Sequence, residues 1–148
     1  MALAETMKYD QLTLEVETDT PGTYAKVCGM KDFTVDGNLA MDEDEVPDCA
    51  DESLPNSVVV SPRSVTVAVS GTGVWAKTSH DMIHKWNRLA QRKNVRITYG
   101  LAAVGDVYTE TGPAYLTKLS AGRTKGKAVT AEIEIRFDGV PTAADRAS

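Results

Sequence analysis

The sequence predicts a mainly β domain, an antiparallel sandwich or barrel with one helix. Three observations predict it. Apolar and polar residues alternate at period two in several short stretches, turn residues separate those stretches, and a single stretch carries apolar residues at helical spacing. The chain has 148 residues, one domain's worth, and enough to bury a core without a metal or disulfide. Its 42% hydrophobic and 25% charged content is ordinary for a soluble globular protein.

Residues 9–17 alternate, with Leu12, Leu14 and Val16 on one face and Thr13, Glu15 and Glu17 on the other. That is the pattern of a half-buried strand, and Asp19, Thr20, Pro21 and Gly22 then turn the chain. Further strands are expected at residues 24–27 and 32–35. Residues 38–56 follow no period and hold Asp42, Glu43, Asp44, Glu45, Asp48, Asp51 and Glu52 with no lysine or arginine. This segment is expected to be a long acidic loop, and loops of that length in compact domains are usually functional or disordered.

Order returns at residues 57–63 and 64–70, where β-branched valines alternate, and Gly71 and Gly73 are expected to end the pattern. The helix is expected to be capped by Thr78 or Ser79 and to bury Met82, Ile83, Trp86, Leu89 and Ala90 on one face. Val95, Ile97 and Tyr99 begin another strand. Residues 105–113 read as a loop, 114–120 as a strand and 121–127 as a Gly- and Lys-rich turn. Residues 128–137 alternate again, with Val129, Ala131, Ile133, Ile135 and Phe137 inward and Glu132, Glu134 and Arg136 outward. The start, about 1–8, and the small polar tail, about 140–148, are expected to be mobile ends of a single domain.

Catalytic and metal-binding patterns are weak. His80 and His84 are four apart on the helix but lack a local third ligand and the general-base Glu of the protease motif. The acids at 42–45 are consecutive, without the alternating register of a calcium loop. No Gly–x–Ser–x–Gly elbow or phosphate-binding glycine loop is present. No cofactor is expected. The two cysteines, Cys28 and Cys49, are too few for a disulfide framework and read as reduced, partly buried thiols. The first ten residues show no basic start followed by an apolar stretch, and no apolar run is long enough to span a membrane, so neither a signal peptide nor a membrane partner is expected.

Charge is more informative. The net charge is −5, which disfavours a default nucleic-acid binder. From residue 32 to 62 every charge is negative, whereas from 63 to 127 cations dominate. Two complementary patches docking between copies would give heterologous, head-to-tail association, which makes rings or filaments. A surface of mixed charge with chance clustering is the alternative.

The order of features resembles a known family. Glu-Val-Pro-Asp-Cys-Ala-Asp-Glu-Ser-Leu-Pro at 45–55 is followed by Val-Ser-Gly-Thr-Gly-Val at 69–74 and the helix with Trp86. Then come Val-Arg-Ile-Thr at 95–98, Gly-Pro-Ala-Tyr-Leu-Thr at 112–117, Lys-Gly-Lys at 125–127 and a last strand ending in Asp138-Gly139. Over residues 24–142 this resembles the tail tube, or major tail, proteins of long non-contractile-tailed phages. The resemblance implies a two-sheet antiparallel β-sandwich with one flanking helix. It implies hexameric rings stacked into a hollow tube in the virion tail, assembled in the host bacterial cytoplasm. The implied partners are further copies of the chain and other tail proteins: terminator, tape measure and distal tail protein. DNA would pass through without specific binding. The resemblance assigns the segment at 38–56 to the contact between rings. It also implies a lumen of negative potential, for which Glu15, Glu17, Glu132 and Glu134 are candidates. The related alternatives are a contractile-particle or secretion-system tube protein and a tail terminator ring. A small β-sandwich binding module is a reading of a different class, and the scattered Trp75, Trp86 and five tyrosines do not favour it.

Overall fold

The computed structural model describes residues 3–147. Eight strands surround one helix: β1 (Leu12–Glu17), β2 (Tyr24–Lys26), β3 (Met30–Val46), β4 (Ser57–Val74), α1 (Lys77–Arg88), β5 (Lys93–Tyr99), β6 (Val107–Gly122), β7 (Thr130–Phe137) and β8 (Thr142–Asp145). A 3-10 turn at Tyr9–Gln11 precedes β1.

All pairings are antiparallel, in the order β2-β1-β5-β6-β7-β4-β3, with β8 on the free side of β6. One hydrogen-bonded path makes two layers because β6 changes layer. Its first part, residues 109–114, pairs with β5, and its second part, 114–122, pairs with β7. Strands that switch sheets through a bend form the corners of such sandwiches. Layer one is therefore β2-β1-β5-β6-β8, and layer two is β6-β7-β4-β3. The path closes back on itself: β2 and β3 lie at its opposite ends, yet only residues 27–29 join them. Four residue steps reach about 14 Å at most.

The core lies between the layers. Leu14, Val16, Val95 and Ile97 of layer one and Val67, Val69, Leu116, Ile133, Ile135 and Phe137 of layer two are buried in one cluster. Strand β7 alternates buried and exposed without a break, as its sequence predicts. The helix adds Ile83 and Trp86, with Met82 packed at the margin. Trp86 is 1% exposed, and its indole N–H donates to the Ala114 carbonyl at 3.3 Å, at the bend of β6. Asn87 donates to the Leu116 carbonyl at 2.9 Å, fixing the helix to the same strand.

Several sequence expectations are corrected. Leu89 is not core: the helix ends at Arg88, and Leu89, its C-cap, is 65% exposed. Ala90 follows with φ 52°, the left-handed conformation that closes the helix. Thr78 and Ser79 lie inside the helix, whose N-cap is Ala76; Ser79 is buried and donates to the Cys28 carbonyl at 3.2 Å. Val129 is exposed, because β7 starts one residue later. Gly71 and Gly73 do not end a strand. They sit within β4, and a Cβ on Gly73 would lie 2.8 Å from the Met30 Cα and collide with the Gly29 carbonyl, so only glycine fits. Residues 107–113 are strand, not loop. The tail also differs. Residues Thr142–Asp145 form β8, and Arg146 donates to the Ala102 carbonyl at 2.9 Å while lying 5.2 Å from the Tyr108 ring centroid.

Candidate assembly surfaces

The acidic segment is the largest departure from the sequence reading. It is a ribbon rather than a loop. β3 and β4 pair from Met30↔Gly73 out to Val46↔Ser57, well beyond the end of β7 at Phe137. Only residues 47–56 turn the chain at the tip. There Asp48 accepts from the Ala50 N–H at 2.8 Å, and Asp51 accepts from the Ser53 hydroxyl at 2.5 Å. Those Ser53 bonds hold the Asp51 carboxyl below its ordinary pKa.

The ribbon's two strands differ in chemistry. Glu43 faces Val60, Asp44 faces Val59 and Glu45 faces Val58 across the ladder. Directly opposed residues share a face, so one face sets Glu43 and Glu45 against Val60 and Val58, and the other sets Asp42 and Asp44 against Ser61 and Val59. Val58, Val59 and Val60 are 49–55% exposed, and Leu39, Met41 and Val46 are exposed with them. Beyond Ala68, where β7 stops pairing with β4, both long edges of the ribbon have unpaired backbone groups within the chain. Asp42 meets Arg63 at 3.6 Å, an exposed pair. The other six acids of the segment make no ion pair among the described residues.

The four acids predicted for a channel fall on two surfaces. Glu132 and Glu134 lie on the outer face of layer two, opposite Thr72 and Ser70. Asp32 and Asp36, on β3, share that face, opposite Thr72 and Ala68. Lys118 reaches Glu132 at 3.6 Å, and Arg136 lies on the same face. Glu15 and Glu17 lie on the outer face of layer one. Glu15 is held by Arg96 at 2.6 Å, and Arg96 stacks over the Tyr24 ring at 4.4 Å. Glu17 accepts from the Gly22 N–H at 3.2 Å and from Asn94 at 3.3 Å. The sequence joined these four by alternation; Asp32 and Asp36 were missed because a neighbouring lysine and glycine obscured the alternation of β3.

His80 and His84 stand 5.9 Å apart between ring centroids, and the Nδ1 of His80 accepts from the Trp75 indole at 2.9 Å. Among the described residues, no group of three potential ligands is gathered around a point. Likewise no helix is long and apolar enough to cross a membrane. Cys28 and Cys49 are both free and exposed, correcting the expectation of partly buried thiols.

The architecture is a two-layer sandwich with a helix packed at the bend of β6 and a ribbon projecting from one end. The phage tail tube protein family model matches residues 6–143, and the chain belongs to that family. It is thus a structural tail tube protein, and the resemblance read from the sequence is upheld. No curated protein matches it in sequence. Among solved structures, the tail of an empty gene transfer agent particle, refined with C6 symmetry, is similar at a TM-score of 0.71 and 11% identity. That match covers 94% of this chain and 99% of the other. The SPP1 tail tube matches at a TM-score of 0.69 and 14% identity, covering 97% of this chain and 81% of that one. A sheath/tube terminator of the extracellular contractile injection system PVC follows at a TM-score of 0.58 and 15% identity, covering 99% and 100%. These likenesses speak to the fold, which phage tubes and contractile systems share.

Proposed function

We propose that this chain polymerises as hexameric rings stacked into a hollow tube, with DNA passing through the bore. The observation that carries this is surface. The chain exposes 10309 Å² at 15.9 kDa, whereas a compact monomer of that mass exposes about 7,400 Å². The excess, about 2,900 Å², exceeds what each partner contributes to a standard interface, about 800 Å². Much of it belongs to a ribbon with open edges and apolar rows, which is an aggregation hazard unless other copies cover it. Closing sheets across copies into one barrel removes those edges. The six-fold tail of the gene transfer agent particle supports the ring number.

The outer face of layer two is the bore surface in this reading. Asp32, Asp36, Glu132 and Glu134 outnumber Lys118 and Arg136 there, so phosphates are repelled and DNA slides. Glu15 and Glu17 are left out of the bore because they sit on the other layer, engaged by Arg96, Asn94 and the Gly22 N–H. The ribbon and its tip make the contact between rings. Assembly takes place in the host cytoplasm, and tail terminator, tape measure and distal tail proteins cap and fill the tube.

Purified protein, sized in solution and imaged by negative stain, tests the reading. Rings or tubes of uniform bore are expected. A monomer at high concentration in both low and moderate salt refutes it.

A further inference from the structure

The edge of layer one is closed by a strand with no buried side chain. β8 pairs along β6 from Thr142↔Thr111 to Asp145↔Val107, and residues 142–147 are all exposed. Backbone bonds carry the pairing one residue further. The Arg146 N–H donates to the Asp106 carbonyl at 2.8 Å, and the Gly105 N–H donates to the Arg146 carbonyl at 3.1 Å. An edge covered in this way is hidden from other chains only while the covering strand stays in place.

Two anchors hold the strand at its ends. Pro141 is buried where β6 carries no side chain: a Cβ on Gly112 would lie 3.1 Å from the Pro141 Cα and 3.4 Å from the Phe137 ring. Five residues on, a guanidinium nitrogen of Arg146 donates to the Ala102 carbonyl at 2.9 Å and to the Gly100 carbonyl at 3.5 Å. The same group lies 5.2 Å from the Tyr108 ring centroid. A planar guanidinium that stacks on an aromatic face suits this socket better than an ammonium. A backbone ladder between a proline socket and a cation socket is the layout of a strand-addition site. Main-chain bonds there supply affinity, and side-chain pockets at fixed spacing supply selectivity.

The upstream attachment lets the strand leave without the body. The Asp138 N–H donates to the Pro113 carbonyl at 2.8 Å, so the chain is pinned before the strap begins. Gly139, at φ 87°, then turns the chain, and Val140 is exposed. Rotation at residues 139–140 frees residues 141–147 while β7 keeps its ladders with β4 and β6. Segments with few buried apolar contacts open at the lowest cost.

We infer that the β6 edge is a strand-binding groove, filled in the free chain by its own residues 141–146, and that an extended segment of another chain with a proline and, five residues on, an arginine takes their place. The segment already seated there defines that pattern. The groove is built within one chain, so it stands whether or not the chain forms tubes. The strap is a tethered competitor on a short link, which keeps the groove nearly full. Loosening the strap is therefore what exposes the site.

Fluorescence anisotropy of a labelled peptide, Pro-Thr-Ala-Ala-Asp-Arg-Ala, matching residues 141–147, tests this on the full-length chain. The native chain should bind it weakly. Arg146→Ala removes the cation anchor of the strap, so that variant should bind the peptide about tenfold more tightly. The same peptide with alanine in place of its proline or its arginine should lose that gain. Equal affinity for native chain and variant, or equal binding of the altered peptides, overturns the inference. Hydrogen exchange gives a second readout. In Arg146→Ala the amides of Gly105 and of residues 107–111 that face β8 should exchange about tenfold faster, with β7 unchanged, and saturating peptide should restore their protection. Unchanged exchange at those amides overturns the exchangeable strap. Loss of protection in β7 as well overturns it too, because the strap would then be part of the body.

Discussion

The body and the ribbon share two strands and differ in almost everything else. Through residues 68–74, β4 lies between β3 and β7, and Val67 and Val69 are buried against the opposite layer. Through residues 57–64 the same strand buries nothing. The body's hydrogen bonds are backed by apolar packing, whereas the ribbon's ladder is not, and a lone two-stranded hairpin is marginal in water. The body therefore holds its shape by packing, whereas the ribbon's shape rests on its backbone ladder. Substitutions in the body should change stability, and substitutions in the ribbon should change assembly.

The largest effect is expected at Trp86. It is fully buried, bridges the helix to the bend of β6 and has a satisfied indole N–H. Trp86→Ala should cost about 3–5 kcal/mol. At roughly 2–4 °C per kcal/mol for a domain of this size, melting should fall by roughly 10 °C. Leu89→Ser, three residues on, should leave melting within about 0.5 kcal/mol, because that side chain is in solvent. A near-neutral Trp86→Ala in a thermal melt would place the helix outside the core and end the comparison.

Gly73→Ala comes next. The added Cβ would meet backbone at Gly29 and Met30, which have no flexible end to move aside. Overpacking of this kind costs about 1–3 kcal/mol. Gly29, at φ 92°, closes the same contact from the other side, so the two glycines let the β2–β3 link cross β4 at close range. Denaturant unfolding should show a lower midpoint at unchanged slope. If the midpoint holds, the link between the ends of the sheet is looser than the closed sandwich requires.

Reversing Asp42, Glu43, Asp44 and Glu45 to lysine should act the other way. These side chains are exposed and their one ion pair, with Arg63, is a surface pair. Melting of the unassembled protein should move by less than about 0.5 kcal/mol while stacking is lost. Tubes of unchanged length would remove the ribbon from the ring contact.

The same contrast explains what the sequence disclosed. Alternation reports one-sided burial, so β1, β5 and β7, each with one face on the core, were legible residue by residue. The helix face was legible at Met82, Ile83 and Trp86, and failed at Leu89 only because spacing does not mark the turn at which a helix stops. The ribbon was illegible because both its faces meet solvent within the chain. Without a buried face it has no period, and its density of acids reads as loop. β8 was missed for the same reason: Thr142–Asp145 is an exposed edge strand held by backbone pairing with β6. Position in sequence located the acidic segment, while its form as a strand pair, and the separation of Glu15 and Glu17 from Glu132 and Glu134, required the pairing pattern of the sheet.

The smallest expected effect separates body from ribbon by pH. Tyr99, on β5, has its phenol pKa raised, first by burial and then by the negative charge of Glu110, to which its hydroxyl donates at 3.4 Å. In the unfolded chain the phenol ionises near 10, its ordinary value, while in the folded chain it stays protonated to higher pH. Between those two values the unfolded state binds fewer protons, so stability falls as pH rises. The contribution is present in full below pH 10 and is lost as pH rises through the folded pKa. Tyr99→Phe should flatten this alkaline slope in denaturant titrations carried upward from pH 10. Asp51, at the ribbon tip, is shifted the opposite way by Ser53, in a fully exposed turn that no core residue touches. Ser53→Ala should therefore leave the melting of the unassembled body unchanged at acid pH. An acid-side change in body melting from that substitution would mean that the tip and the core unfold together, and the division between them would fail.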